Sequence, residues 1–314
     1  MKTILKNKNK IVVLAGGVGA AKFIDGLCRI VDPEKLIIIV NTGDDLELFG
    51  LKICPDIDII TYTLANVIDR EKGWGYRNET FNSLKLLEKY YNVGWFNLGD
   101  KDLATHVFRT DLFNQGYSKS EITSIICSKL GVKSRVIPMC NESVITKIKT
   151  ASKEMHFEEY YIKYRCEPTI LDFYFDGIDN AKPIKGVITE IKEAEKIIIS
   201  PSNPFVSIGT ILSVKGIRDI LKQSRKKVYG ISPIVEGKVI KGPADKLMEC
   251  LGYEVSCKAV AEIYKDILNN FIIDVRDSFL KQEVEQLDLK CYCFDTIMDN
   301  LEKKKALAEF VMNL

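Results

Sequence analysis

Histidine is scarce in this chain: only His106 and His156 occur in 314 residues. That excludes a multi-histidine metal site. The nine cysteines contain no CxxC pair, and Cys291-Tyr-Cys293 has the wrong spacing for a zinc knuckle. An odd number of scattered thiols without a secretion signal reads as reduced, mostly core-filling residues of a cytoplasmic protein. The net charge of +2 gives no electrostatic case for nucleic acid. No apolar run approaches the roughly 20 residues of a membrane span. The opening MKTILKNKNK is basic but has no apolar region or cleavage site of a signal peptide. Phosphate motifs of the commonest kinds are missing too. GGVGAAK has no GK[ST] of a P-loop, and a G-x-G-x-x-G read from Gly17 puts Lys22 at its last position.

What is present is a repeated strand–turn–helix rhythm. Ile11 to Ala15 is short, apolar and β-branched, as a strand buried on both faces must be. Gly16, Gly17 and Gly19 follow, then a helical apolar pattern from Ala20 to Ile30. Such a turn brings backbone N–H groups and a helix N-terminus close to a phosphate, or it is a tight turn that binds nothing. Leu36 to Val40 is a second buried strand, ending in Asn41-Thr42-Gly43-Asp44-Asp45. At the carboxyl edge of a parallel sheet, Asp44 and Asp45 suit either a hard cation such as Mg²⁺ or a helix cap. Asp56 or Asp58 caps a helix predicted from Ile57 to Ile68. In GWGYR, Trp74 and Tyr76 sit between glycines, as a lid anchor or a stacking platform. A helix is predicted from Asn78 to Tyr91. Trp95 to Leu98 reads as a third strand, followed by Asp100, Lys101, Asp102 and, one helical turn on, His106. Ser118 and Glu121 form a capping box for a helix to Leu130, and Ser134 to Met139 is another strand.

From 141 to 192 the rhythm stops and aromatic and polar residues alternate. This predicts an inserted small α+β module that covers the site or makes a subunit contact. Residues 1–140 and 193–314 then form one α/β core, a Rossmann-like, doubly wound, mostly parallel sheet. Its second half has strands at Lys196–Ile199, Val228–Ile231 and Asn270–Asp274, with a strand-like Glu254–Cys257 and a helix at Ile217–Gln223. Ser202, Asn203, Ser207 and Gly209 form a second polar loop converging on the first. The last forty residues read as helices over 278–286 and 296–313, a scaffold or an oligomer contact.

Seven blocks in order carry a resemblance: GGVGAAK, VNTGDD, CPDID, GWGYRNETF, LGDKDLATHVFR, SPSNPFVSIGTIL and ISPIVEGKVIKGPADKLM. Together they resemble the 2-phospho-L-lactate transferase family of deazaflavin coenzyme F-420 biosynthesis. The resemblance runs from Ile11 to near the C-terminus. It implies a homodimer, a Mg²⁺ requirement and transfer of a phospholactyl-type group from a GDP-linked donor to the hydroxyl of the deazaflavin Fo, with GMP released. It further implies nucleotide contacts from Gly16, Gly17, Gly19, Asn41, Ser202, Asn203, Ser207 and Gly209, and metal ligands among Asp44, Asp45 and Asp58. The deazaflavin side falls to Asp58, Trp74, Asn97, Asp100, Lys101, Asp102 and His106, with Asp58, Asp45 and Asp100 as candidate catalytic carboxylates. Lys101 stands where the family commonly has Arg, which keeps the charge without a bidentate grip. Asn97 stands where some relatives carry a basic residue. No residue decides between phospholactate and a phosphoenolpyruvate-derived group. A glycine-rich start also occurs in a sister family of nucleotide-sugar-binding regulators of carbon flux or the cell envelope. The LGDKDLATH and GWGYRNETF blocks favour the transferase, and the imperfect glycine pattern disfavours a dinucleotide dehydrogenase.

Overall fold

The computed structural model describes residues 10–91 and 94–314; most of the basic N-terminal stretch, residues 1–9, lies outside them. The first half runs β1 (Ile11–Ala15), α1 (Gly17–Leu27), β2 (Leu36–Val40), β3 (Leu46–Leu48), β4 (Leu51–Ile53), α2 (Pro55–Leu64), α3 (Asn82–Tyr91), α4 (Asp100–Asn114), α5 (Lys119–Lys129) and β5 (Arg135–Pro138). Next come β6 (Ile145–Thr150), β7 (Glu154–His156), β8 (Ile170–Asp176) and α6 (Val187–Glu193). The second half holds β9 (Lys196–Ile199), α7 (Ile208–Ser213), α8 (Ile217–Gln223), β10 (Val228–Ile231), β11 (Ile234–Val235), β12 (Lys238–Val239), α9 (Ala244–Cys250), α10 (Cys257–Tyr264), β13 (Asn270–Asp274), α11 (Lys281–Glu285), β14 (Lys290–Phe294) and α12 (Leu301–Asn313).

Seven strands form one parallel sheet in the order β14-β13-β10-β9-β1-β2-β5. The chain therefore builds outward from β1 through β2 to β5, then returns beside β1 and builds the other way. That reversal is the doubly wound arrangement, and it opens a crevice beyond the carboxyl ends of β1 and β9. Alternate residues of each strand serve opposite faces. Val12, Leu14, Ile37, Ile39, Ile197 and Ile199 enter one core layer. Val13, Ala15, Ile38, Val40 and Ile198 enter the other, with Phe23 and Ile24 of α1 and Leu307 and Val311 of α12. Burial on both faces is why these strands read as unbroken apolar runs.

The C-terminal helix is scaffold. A Cβ on Gly26 would lie 2.2 Å from the Lys304 carbonyl oxygen, so glycine lets α12 close on α1. Lys304 Nζ reaches Asp25 Oδ2 at 3.0 Å within that contact.

Several predicted elements differ. Helix α1 begins at Gly17, three residues earlier than predicted, so its first turn is the glycine turn itself. Trp95–Leu98 is not a strand. Phe96 and Leu98 are apolar because they fill a satellite core with Ile53 and Leu84, away from the sheet. Glu254–Cys257 is the approach to α10, whose first amides are capped by Ser256. The last forty residues include β14, the sheet's edge strand, hidden from pattern reading by Cys-Tyr-Cys in place of aliphatic residues. The β3–β4 hairpin was also not foreseen.

Residues 145–176 hold a three-stranded antiparallel sheet, β7-β6-β8. Its Ile148, Met155 and Ile170 share a core layer with Ile37 and Ile199. The following turn of π-helix, Glu159–Lys163, carries aromatic residues toward the crevice. No helix among the described residues is long and apolar enough to cross a membrane. All nine cysteines are free thiols.

Candidate active site

A cavity of about 550 Å³ lies at the switch point. Such a volume suits a cofactor-sized ligand. Three loops are stitched together at its floor. Ser202 Oγ donates to the Gly16 carbonyl at 2.7 Å. The Gly17 amide donates to Asp56 Oδ1 at 2.7 Å. A Cβ on Gly16 would meet Ser207 Cβ at 2.7 Å and Asp56 Oδ2 at 2.8 Å, and one on Gly19 would meet the Pro201 carbonyl at 2.1 Å. Gly16 and Gly19 are thus required for close packing of the loops. Gly17 has φ +70° with open space at its Cβ position, so its backbone faces the cavity. Ser202, Asn203 and Ser207 line the same wall. Gly209 does not: its Cα faces the Pro204 carbonyl, and its role is packing within α7.

The acid cluster is rearranged relative to expectation. Asn41 is fully buried and lies behind the cavity wall. Its Nδ2 donates to Asp44 Oδ2 at 3.0 Å and to Asp56 Oδ2 at 2.9 Å, so one amide holds two carboxylates side by side. Asp44 Oδ1 is buried without a hydrogen-bond partner among the described residues. Glu158 enters from the π-helical turn and completes the group on the cavity wall. Burial first, then the charge of Asp56, pushes the Asp44 carboxyl well up. Burial likewise raises Asp56 to about 6. Burial and then Asp56 raise Glu158 to about 8. Crowded, desolvated carboxylates with an unsatisfied oxygen are the donor set a hard divalent cation neutralises. Asp44 and Asp56 therefore fit Mg²⁺. Asp45 points the other way: its Oδ2 is 2.6 Å from Lys119 Nζ, and it does not line the cavity.

Asp56 and Asp58 do not cap α2. The N-cap is Cys54, without a side-chain bond, and both aspartates face out of the first turn. Asp58 lines the cavity but is gripped by Arg109, which donates to both of its oxygens. Burial pushes the Asp58 carboxyl up, and the Arg109 guanidinium opposes that rise. Asp102 accepts from the Tyr62 hydroxyl at 2.6 Å and lies 3.3 Å from His106 Nε2. Although burial alone would raise it, His106 and Tyr62 hold the Asp102 carboxyl below the usual range. Trp74 and Asn97 line this end with Phe96 and Tyr161. Gly73 and Gly75, at φ +76° and +68°, turn the Trp74 loop.

Asp100 and Lys101 are corrected from ligand contacts to loop supports. The Asp100 carboxylate accepts from the Thr80 hydroxyl at 2.6 Å and the Ser83 amide at 2.8 Å, which hold it well below the usual range. Lys101 Nζ donates to the Arg77 and Asn78 carbonyls at 2.8 and 2.5 Å. Neither lines the cavity. Sequence reading missed Asp56 as a site residue, Glu158, Tyr62 and Arg109, and also Lys22 and Lys241, which line the cavity. Burial, then Lys22, lowers the Lys241 ammonium. A cation inside each of two recognised blocks, GGVGAAK and VIKGPA, was the available signal for the lysines. Arg109 had the same signal, as the last residue of LGDKDLATHVFR, whereas Tyr62 had none, being an ordinary helix residue until α2 and α4 are packed together.

A protein from Streptomyces griseus named phosphoenolpyruvate transferase is 39% identical over 311 residues, covering 97% of this chain and 98% of its own. A Methanosarcina acetivorans protein named 2-phospho-L-lactate transferase is 37% identical over 304 residues, covering 97% and 98%. The crystal structure of a UPF0052 family member from Bacillus halodurans shares the fold at a TM-score of 0.62 and 16% identity, covering 98% of this chain and 99% of its own. The model of the family described as 2-phospho-L-lactate transferase CofD matches residues 11–309, and the chain belongs to that family of transferases.

Proposed function

We propose that the protein transfers a 2-phospho-L-lactyl or phosphoenolpyruvate-derived group from a GDP-linked donor to the hydroxyl of the deazaflavin Fo, in coenzyme F-420 biosynthesis. The hydroxyl oxygen forms a bond to the phosphorus that carries the three-carbon acid. The bond from that phosphorus to the GMP oxygen breaks, GMP leaves, and the hydroxyl proton passes to a carboxylate. The observation that supports this reading most is the mixed lining of one cavity: Lys22 and Lys241, the carboxylates of Asp44, Asp56 and Glu158, and the aromatic side chains of Trp74, Phe96 and Tyr161. Phosphoryl transfer needs mainly positioning and neutralised charge.

In this reading Ser202, Asn203, Lys22 and Lys241 hold the diphosphate. Mg²⁺ on Asp44 and Asp56 would supply charge neutralisation at the transferring phosphoryl oxygens. Trp74, Phe96 and Tyr161 flank the planar deazaflavin. Glu158, held near neutral pH and not assigned to the cation, is a better proton acceptor than Asp58, whose oxygens Arg109 occupies. The resemblance of the whole chain supports a cytoplasmic homodimer as the working form.

Fluorescence titration separates the two ends. Fo binding is expected to be saturable and to weaken about tenfold in Trp74→Ala. GDP binding is expected to weaken about tenfold in Lys241→Ala, with Fo binding unchanged. A folded protein that binds a nucleotide but shows no affinity for Fo would contradict the proposal and favour a nucleotide-binding regulator.

A further inference from the structure

His106 is 1% exposed, and its Nδ1 lies 3.0 Å from Arg109 Nη1. A guanidinium only donates. Nδ1 must therefore accept, and the neutral ring carries its proton on Nε2. That nitrogen lies 3.3 Å from Asp102 Oδ1, close enough for electrostatic attraction, but makes no hydrogen bond among the described residues. The same Arg109 Nη1 donates to Asp58 Oδ2 at 2.9 Å and to the Lys52 carbonyl at 3.3 Å. One buried side chain thus sets both the Asp58 carboxylate and the imidazole.

The arrangement bears on a second question. Asp58, Asp102 and His106 offer ligand atoms within 4.8 Å of one another, a spacing that suits a metal ion. Ligation by His106 would need a lone pair on Nε2. With Nδ1 accepting from a permanent cation, Nε2 has none to give. A metal would also have to displace or share the oxygens already held by the guanidinium.

We propose that Arg109 is a positioning residue that fixes His106 as the Nε2–H tautomer. It thereby sets the Asp58–Asp102–His106 cluster to hydrogen-bond an uncharged, hydroxyl-bearing ligand and closes that cluster to metal ions. Asp102 keeps lone pairs for a ligand hydroxyl, and Tyr62 and His106 hold it in place. The divalent cation and this cluster then occupy separate parts of one cavity.

The test does not depend on the transfer reaction, so its failure is distinguishable from failure of the proposed function. With two histidines in the chain, ¹⁵N-histidine labelling gives a readable long-range ¹H–¹⁵N spectrum of the full protein at pH 8. His156→Gln identifies the His106 signals. The expected pattern is a protonated Nε2 and an unprotonated Nδ1, unchanged by added Zn²⁺. Arg109→Lys, which keeps a donor and the charge, retains that pattern. Arg109→Met gives mixed tautomers and weakens Fo binding about tenfold, with GDP binding changed less than twofold. An Nδ1–H ring in the unaltered protein, a Zn²⁺-dependent shift of His106 Nε2, or an unchanged pattern in folded Arg109→Met would each overturn the proposal. If Arg109→Met does not fold, the unaltered protein and Arg109→Lys decide it.

Discussion

Asp44 and Asp56 share one donor, the Asn41 amide, and neither forms a charge pair that would offset its burial. Two carboxylates held together in a desolvated wall destabilise the empty protein at neutral pH. A divalent cation reverses that sign, so Mg²⁺ is expected to raise the melting temperature at pH 8. Asp44→Asn removes one of the two carboxylates proposed to hold it. It is expected to abolish the Mg²⁺-induced shift and to lower kcat by about 10²–10³, the cost of losing one element of transition-state charge stabilisation. Steady-state assays and thermal scans with and without Mg²⁺ check both halves. Glu158 gives a pH dependence. Its folded pKa, about 8, lies above the ordinary glutamate value, because burial and Asp56 disfavour its charge. The native state therefore binds the extra proton between pH 4.5 and 8. Stability from this group is present at the low end of that window and is lost as pH rises through 8. Without metal, the melting temperature of the unaltered protein is expected to fall, relative to Glu158→Gln, between pH 6 and 9. Parallel curves for the two proteins would contradict the assignment.

At the scale of elements, the site depends on close approaches that only glycine permits. The α1–α12 contact gives the cleanest test, since Gly26 is remote from the cavity. A Cβ there would press on the backbone of α12, which cannot move aside as a flexible side chain could. Gly26→Ala is expected to cost about 1–3 kcal/mol in urea unfolding, with the ligand affinity of the folded protein retained. The same physics explains what was legible beforehand. Strands β1, β2, β9 and β10 are buried on both faces, so their apolar runs were readable without a partner. The capping box of α5 was readable because all its atoms lie within four residues. Trp95–Leu98 misled because an apolar tetrapeptide in a satellite core has the same composition as one in a sheet. Of the aspartates, all but Asp56, which was read only as a helix cap, were found by residue type and position, but their roles depend on contacts far away in sequence. Asp45 meets Lys119, Asp58 meets Arg109, and Asp100 braces the loop at 80–83. No local pattern distinguishes those from Asp44 and Asp56, which line the cavity without a cationic partner.

On the scale of the whole molecule, the reversal of strand order at β1 and β9 sets where ligands bind. The segment between β5 and β9 closes that crevice with Phe157, Glu158, Tyr161 and Ile162. In the proposed function, nucleotide-facing groups come from the carboxyl ends of the sheet, and acceptor-facing groups from α2, α4 and the Trp74 loop. On that proposal one cavity holds a charged donor and a flat, largely uncharged acceptor together. The most direct measurement is product formation. The purified protein, Fo and Mg²⁺ would be incubated with GDP-linked phospholactate or with its phosphoenolpyruvate counterpart, and the mixture followed by mass spectrometry. The account predicts an Fo phosphodiester bearing the three-carbon acid, with GMP formed in equal amount, from at least one donor. Folded protein that binds both substrates yet yields neither product from either donor would contradict it.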